Sequence, residues 1–150
     1  MRITREADYA IRMLCCLGRA GASGCPIVGA STLAEDVTVP PRFGVKILQT
    51  LAAAGIVKTT RGVGGGYSLI VPVETLTLRQ IIEAVDGPIA LNRCLSESHD
   101  CEHNPDKNAC RVHHVFDTLN RGLAERLDCV TVAMLIDPNL AIADLVEAAR

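Results

Sequence analysis

The stretch AGIVKTTRGVGGGYSL, Ala54 to Leu69, decides the fold. IVKTT is short and β-branched and reads as a strand. RGVGGG is a turn rich in residues that tolerate positive φ. YSLIV reads as a second strand, and the three together make a hairpin. The glycines do not make a phosphate loop. The run lacks the terminal Lys-Ser/Thr of a P-loop, and Tyr67 takes the last glycine position of a G-x-G-x-x-G pattern begun at Gly62.

Upstream the pattern is helical. Ile3, Ala7, Ala10, Ile11, Leu14 and Leu17 form one stripe, predicting a helix over 3–17 that ends near Gly18. Residues 19–30 read as a loop. STLAEDV opens a short helix, with Thr32 and Glu35 as a candidate capping box. Pro40 and Pro41 stop it, and Pro41 also suits the first position of the next helix. That helix, 42–54, is closed by Gly55. Downstream, 77–86 is a helix with Thr77 as its cap. Val112, Phe116, Leu119, Leu123, Leu127 and Val130 predict one helix of about five turns, and 140–149 a last one.

Helix, short helix, helix, hairpin is the order of a winged helix-turn-helix. The expected class is mainly α with a small β-hairpin wing, plus a long dimerisation helix. The expected divisions are 1–72 for DNA binding, 73–107 for a linking helix and cysteine-containing sensor loop, and 108–150 for the dimerisation and C-terminal helices.

Nearly half of the 150 residues are hydrophobic and only 3% aromatic, so the core must be Leu, Ile, Val and Ala. The net charge of −2 does not by itself suggest nucleic acid. The halves differ, however. Residues 1–66 carry 8 Lys/Arg against 4 Asp/Glu, and residues 67–150 carry 7 against 13. A basic half beside an acidic one points the first half at an anion. No apolar run reaches the roughly 18 residues of a membrane span, and MRITREADYAIR lacks the apolar core of a signal peptide. The chain is expected in the cytoplasm, where seven cysteines suggest metal or redox chemistry more than disulfides.

Two features carry chemistry. The third helix places Arg42, Lys46 and Gln49 on one face and Ile47, Leu48 and Leu51 on the other. Such a helix fits a major groove, with cations reaching phosphates and base edges. Arg61 at the hairpin tip suits a minor groove. A merely solvated cationic face is the plain alternative. The second feature is RCLSESHDCEHNPDKNACRVHH, Arg93 to His114, with spacing Cys94-x6-Cys101-x8-Cys110. Structural zinc sites show tighter pairs, whereas three thiolates on a loop suit an iron–sulfur cluster. An iron–sulfur or zinc enzyme or carrier is the rival of another class. It lacks support, because the chain has no H-E-x-x-H and no nucleophile with a matched base.

MRITREADYAIRML, KILQTLAAAGIVKTTRGVGGGYSL, LTLRQIIEAVDGP and the three cysteines that follow resemble the redox-response family of winged-helix transcriptional regulators. That family includes the iron–sulfur-cluster assembly regulator, the nitric-oxide-sensing repressor, the rhizobial iron regulator and the cysteine-metabolism regulator. The resemblance covers about residues 1–135. It implies a homodimer that is not an enzyme and that binds a palindromic double-stranded DNA operator. The recognition helix would be 41–54 and the wing 56–70, with Arg61 as the wing arginine and Arg2 and Thr4 near the DNA backbone. Cys94, Cys101 and Cys110 would hold a 2Fe–2S or 4Fe–4S cluster, in a spacing wider than the best-known members use. The fourth ligand stays open between His113, three residues after Cys110, and Asp8 from the partner subunit. A cluster-free thiol- or small-molecule-responsive regulator is the alternative within the same fold. Gly44 and Val45 are unusual in a recognition helix, and Gly44 costs about 1 kcal/mol of helix propensity.

The remaining residues read plainly. At least one of Cys15 and Cys16 belongs to the core, and Cys25 sits in a loop. Cys129 lies near the end of the long helix. His99, His103 and His114 should be exposed, with Asp100 and Glu102 as solvating charges. The long apolar stripe is too extended for so small a domain to cover, and pairing with a second copy would bury it.

Overall fold

Thr4 starts the first helix, its side chain accepting the Ala7 amide at 3.2 Å as an N-cap. In this computed structural model, which describes residues 3–96, 101 and 106–149, that helix is α1 (Arg5–Ala22). It runs past Gly18 instead of ending there. Gly18 lies against the side chains of Val73, Val132 and Ile136, where a Cβ would sit 3.0 Å from Ile136 Cδ1. The glycine permits close packing within the helix and does not terminate it.

After the loop come α2 (Ala30–Asp36) and α3 (Pro41–Ala53). The expected capping box is absent. The helix starts earlier, Gly29 is the N-cap with no side-chain bond, and Thr32 lies within the helix. Pro41 does occupy the first turn of α3. Gly44 is buried where α3 crosses α2, and a Cβ there would meet Ala34 Cβ at 3.0 Å and Met13 Cε at 3.1 Å. Its propensity cost therefore permits the close crossing of the helix-turn-helix.

The wing is the antiparallel pair β1 (Val57–Thr60) and β2 (Gly66–Leu69), in register Val57 opposite Leu69 through Thr60 opposite Gly66. Both strands are slightly shorter than the sequence suggests. Val28 adds a one-residue bridge to Tyr67, with reciprocal amide bonds of 2.9 and 2.8 Å. At the tip, Gly62 (φ 103°) and Gly64 (φ 79°) take the left-handed conformations the turn requires.

α4 (Leu78–Asp86) begins with a complete capping box. Thr77 Oγ1 accepts the Gln80 amide, and Gln80 Oε1 accepts the Thr77 amide at 3.0 Å. Two 3₁₀ turns, Arg93–Leu95 and Lys107–Ala109, flank the cysteine segment. α5 (Arg111–Asp128) has the predicted five turns. Val130 falls outside it, because the chain doubles back there. The Leu78 amide donates to Val130 O and the Val132 amide to Leu76 O, both at 2.9 Å. Asp128 fixes this return by accepting from Thr77 Oγ1 at 3.1 Å and from Arg79 Nη1 at 3.0 Å. A short helix that periodicity did not separate follows, α6 (Val132–Ile136), and then α7 (Ile142–Ala148).

One core joins α1, α2, α3, the wing, α4 and α6. Met13, Leu14 and Leu17 of α1 pack with Leu33, Ile47, Leu48 and Leu51 of the helix-turn-helix, Val57 of the wing, Leu76, Ile81 of α4 and Val132 of α6. Leu48 is fully buried, and truncating such a leucine to alanine costs about 2–5 kcal/mol. Tyr9 and Phe43 pack edge-to-face at 6.0 Å, tying α1 to the recognition-helix position. No helix of the described residues is long and apolar enough to cross a membrane.

Candidate DNA interface and cysteine site

α3 turns Ile47, Leu48 and Leu51 inward and leaves Arg42, Lys46 and Gln49 exposed on the opposite face. The core side fixes the helix, and the outer side is free to enter a groove. Arg61 is exposed at the base of the wing tip, and Val63 at the tip itself is fully exposed. Lys46 Nζ lies 3.1 Å from Glu6 Oε1. Among the described residues, neither Arg42 nor Arg61 makes an ion pair.

Thr4 is exposed but committed locally. Besides capping α1, its amide donates to Asp86 Oδ2 at 3.0 Å and its hydroxyl to Asp86 Oδ1 at 2.5 Å. Arg2 lies outside the described residues, as do His99, Asp100, Glu102 and His103.

The cysteine site is built around the start of α5. Cys110 is the N-cap of that helix, its Sγ accepting the His113 amide at 3.5 Å. His113 Nδ1 is shut off from solvent and has no hydrogen-bond partner among the described residues. His114 is exposed, and its ring nitrogen pairs with Asn108 O at 2.7 Å. Cys94 lies in the Arg93–Leu95 turn. Asn120 of α5 holds the segment leading into that turn, accepting from the Leu91 amide at 3.0 Å and donating to Ile89 O at 2.9 Å. Cys94, Cys101 and Cys110 are all half-buried and all free thiols.

Among the described residues, no three Cys, His, Asp or Glu side chains converge as a metal-holding group. The donor chemistry nevertheless fits an iron–sulfur centre: three free thiols, with an unpartnered imidazole nitrogen one turn from Cys110. Asp8 instead receives Arg12 Nε on both carboxylate oxygens, at 3.1 and 3.0 Å.

The other thiols follow the plain reading. Cys15 is in the core, where burial raises its pKa above the ordinary thiol value. Burial raises Cys16 as well, aided by neighbouring Asp36. Cys25 and Cys129 are exposed. Sequence reasoning missed Glu6, Asp86 and Asn120. Their roles depend on partners 40, 82 and about 30 residues away, which no local pattern reveals.

The family model for Rrf2, described as an iron-dependent transcriptional regulator, matches residues 3–138. An rrf2-like HTH-type transcriptional regulator of Rhodobacter capsulatus is 32% identical over 150 residues, covering 97% of this chain and 99% of its own. Protein aau3 of Rhizobium meliloti is 33% identical over 137 residues, covering 91% and 85%. Among solved structures, the global cysteine regulator CymR of B. subtilis matches with TM-score 0.69 at 22% identity, over 91% of this chain and 96% of that one. IscR of T. potens matches with TM-score 0.65 at 19% identity, over 100% and 89%. These two share the fold.

Proposed function

The chain belongs to the Rrf2 family of DNA-binding transcriptional regulators, and from that premise we propose that its operator affinity is controlled by an iron–sulfur cluster on Cys94, Cys101 and Cys110. The observation that carries this reading is the half-buried, unpaired state of the three thiols on the α4–α5 connection, with Cys110 capping α5 beside the unpartnered Nδ1 of His113. The iron-dependent description of the family supports it. His113, whose Nδ1 lacks a partner among the described residues, is favoured as fourth ligand over Asp8 of the partner subunit, a position whose carboxylate pairs with Arg12 in this chain.

In this reading residues 1–72 bind DNA, 73–107 carry the sensor and 108–150 dimerise. The dimer places two copies of α3 on two half-sites, as this mode of recognition requires. Arg42, Lys46 and Gln49 enter the major groove, Arg61 the minor groove, and Arg2 the backbone nearby. Cys94, Cys101 and Cys110 would hold the cluster between the end of α4 and the start of α5, where its presence or absence would bias the spacing of the two recognition helices. This is a coupling between two sites through one two-state element.

The test is operator affinity of one anaerobic preparation before and after removal of iron by a chelator. A change of about tenfold or more, reversed on reconstitution, is expected for coupling of ordinary size. Equal affinity in both forms contradicts cluster control. A second reading, a cluster-free thiol regulator, is favoured by one observation: the described cysteines do not converge. It predicts instead a response to a thiol oxidant in iron-free protein.

A further inference from the structure

We propose that Glu6 is a specificity-determining residue of the DNA interface, acting by holding the Lys46 ammonium so that phosphates cannot take it freely. The proposal rests on the reading of α3 as the recognition helix. Lys46 is the central residue of the Arg42, Lys46, Gln49 face. Glu6 reaches it from the first turn of α1, 40 residues away, at 3.1 Å. Tertiary structure therefore delivers this carboxylate to the face.

The pair is too exposed to matter much for stability, with the Lys46 side chain 65% and the Glu6 side chain 36% exposed. Its weight lies in where it puts a negative charge. Of the three cations assigned to DNA among the described residues, Lys46 is the one already neutralised. A phosphate that binds Lys46 brings its negative charge beside the Glu6 carboxylate, and the two anions repel. A base edge carries no such charge. An ammonium has three donors. One serves Glu6, and the other two can reach adjacent acceptors such as guanine O6 and N7 without breaking the pair. Glu6 thus penalises sequence-independent contact and tolerates base contact, a repulsive element built into recognition.

The experiment compares wild type, Glu6→Gln, Lys46→Ala and the double variant. Each is titrated with two probes of equal length: a duplex selected by the wild-type protein from a randomised pool, and an unselected random duplex. Glu6→Gln should bind the random duplex about threefold tighter or more, with a smaller gain or a loss on the selected duplex. Its salt slope on random DNA should steepen by about 0.9, the signature of one more phosphate contact. In the Lys46→Ala background the same change should have no effect on the ratio. An unchanged or widened ratio in Glu6→Gln overturns the proposal, as does an equal effect of Glu6→Gln with Lys46 absent. If Lys46→Ala leaves binding of both duplexes unaltered, the assignment of Lys46 to the DNA contact has failed and the proposal falls with it, whether or not α3 is the recognition helix.

Discussion

Asp86 accepts two hydrogen bonds from Thr4, one from the amide and one from the hydroxyl. Thr4 is the N-cap of α1, and Asp86 is the last residue of α4, one step before Gly87 begins the connection that leads to Cys94. One carboxylate therefore joins the start of α1 to the end of α4, where the connection to Cys94 begins. Glu6, two residues beyond Thr4, then touches α3.

Replacing Asp86 by alanine removes both acceptors and leaves the cap hydroxyl unsupported. The expected loss of stability is about 1–2 kcal/mol, from a charge-assisted hydrogen bond and a weakened cap at an exposed site. Chemical denaturation measures it. Hydrogen exchange at the Ala7 amide should accelerate in the same variant, and unaltered exchange would mean that Asp86 does not support the cap.

Gly44→Val should destabilise the protein by about 1–3 kcal/mol, the usual range for overpacking. A side chain there runs into Ala34 Cβ and Met13 Cε at the α2–α3 crossing. Gly44→Ala sets a propensity gain of about 1 kcal/mol against two tight contacts, at 3.0 Å to Ala34 Cβ and 3.1 Å to Met13 Cε, and should destabilise less than Gly44→Val. Thermal unfolding of the two variants side by side checks the ordering.

Those two sites show how far the sequence carries. The hairpin, the prolines around α3, the Thr77 cap and the length of α5 follow from local rules: β-branched runs, positive-φ glycines, fixed proline φ and a 3.6-residue stripe. Gly18 and Gly44 mislead because a helical glycine looks like a break or a cost until the residue packed against it is known. Thr32 with Glu35 matches a capping box by spacing alone, but the helix starts three residues too early for it, with Gly29 as its N-cap. Val130 fits the stripe of α5 yet belongs to the bridge at Thr131, a pairing 54 residues long in sequence. On the candidate site, the exposed face of α3 was legible from periodicity. The Glu6 and Asp86 contacts were not, because they are tertiary.

Arg61→Ala should weaken operator binding roughly tenfold and reduce the salt slope by about 0.9, as expected for one lost arginine contact at phosphates or in a narrow groove. Arg121→Ala is the control. Arg121 sits on α5, paired with Asp117 at 3.3 Å, and plays no part in the proposed interface. Fluorescence anisotropy at several salt concentrations distinguishes them, and equal behaviour of the two variants would remove the wing from the interface.

Val112, Val115 and Leu119 share one side of α5, and each is 56–58% exposed in the single chain. In the proposed dimer this stripe meets its copy. Leu119→Arg would place an unpaired charge in that contact, and a monomer is expected at concentrations where the wild type is dimeric. Sedimentation gives the mass, and circular dichroism should report unchanged helix content. A Leu119→Arg dimer of wild-type affinity would place the interface elsewhere.

The most direct test of the account is the iron, sulfide and zinc content of the protein purified without oxygen, with its absorption spectrum. With a cluster on Cys94, Cys101 and Cys110 the protein is coloured, with broad visible absorption and matching iron and sulfide, and Cys101→Ala loses that absorbance. A colourless chain that takes up neither iron nor sulfide on anaerobic reconstitution would contradict this assignment. It would leave a DNA-binding regulator whose Cys94, Cys101 and Cys110 serve some chemistry other than a cluster.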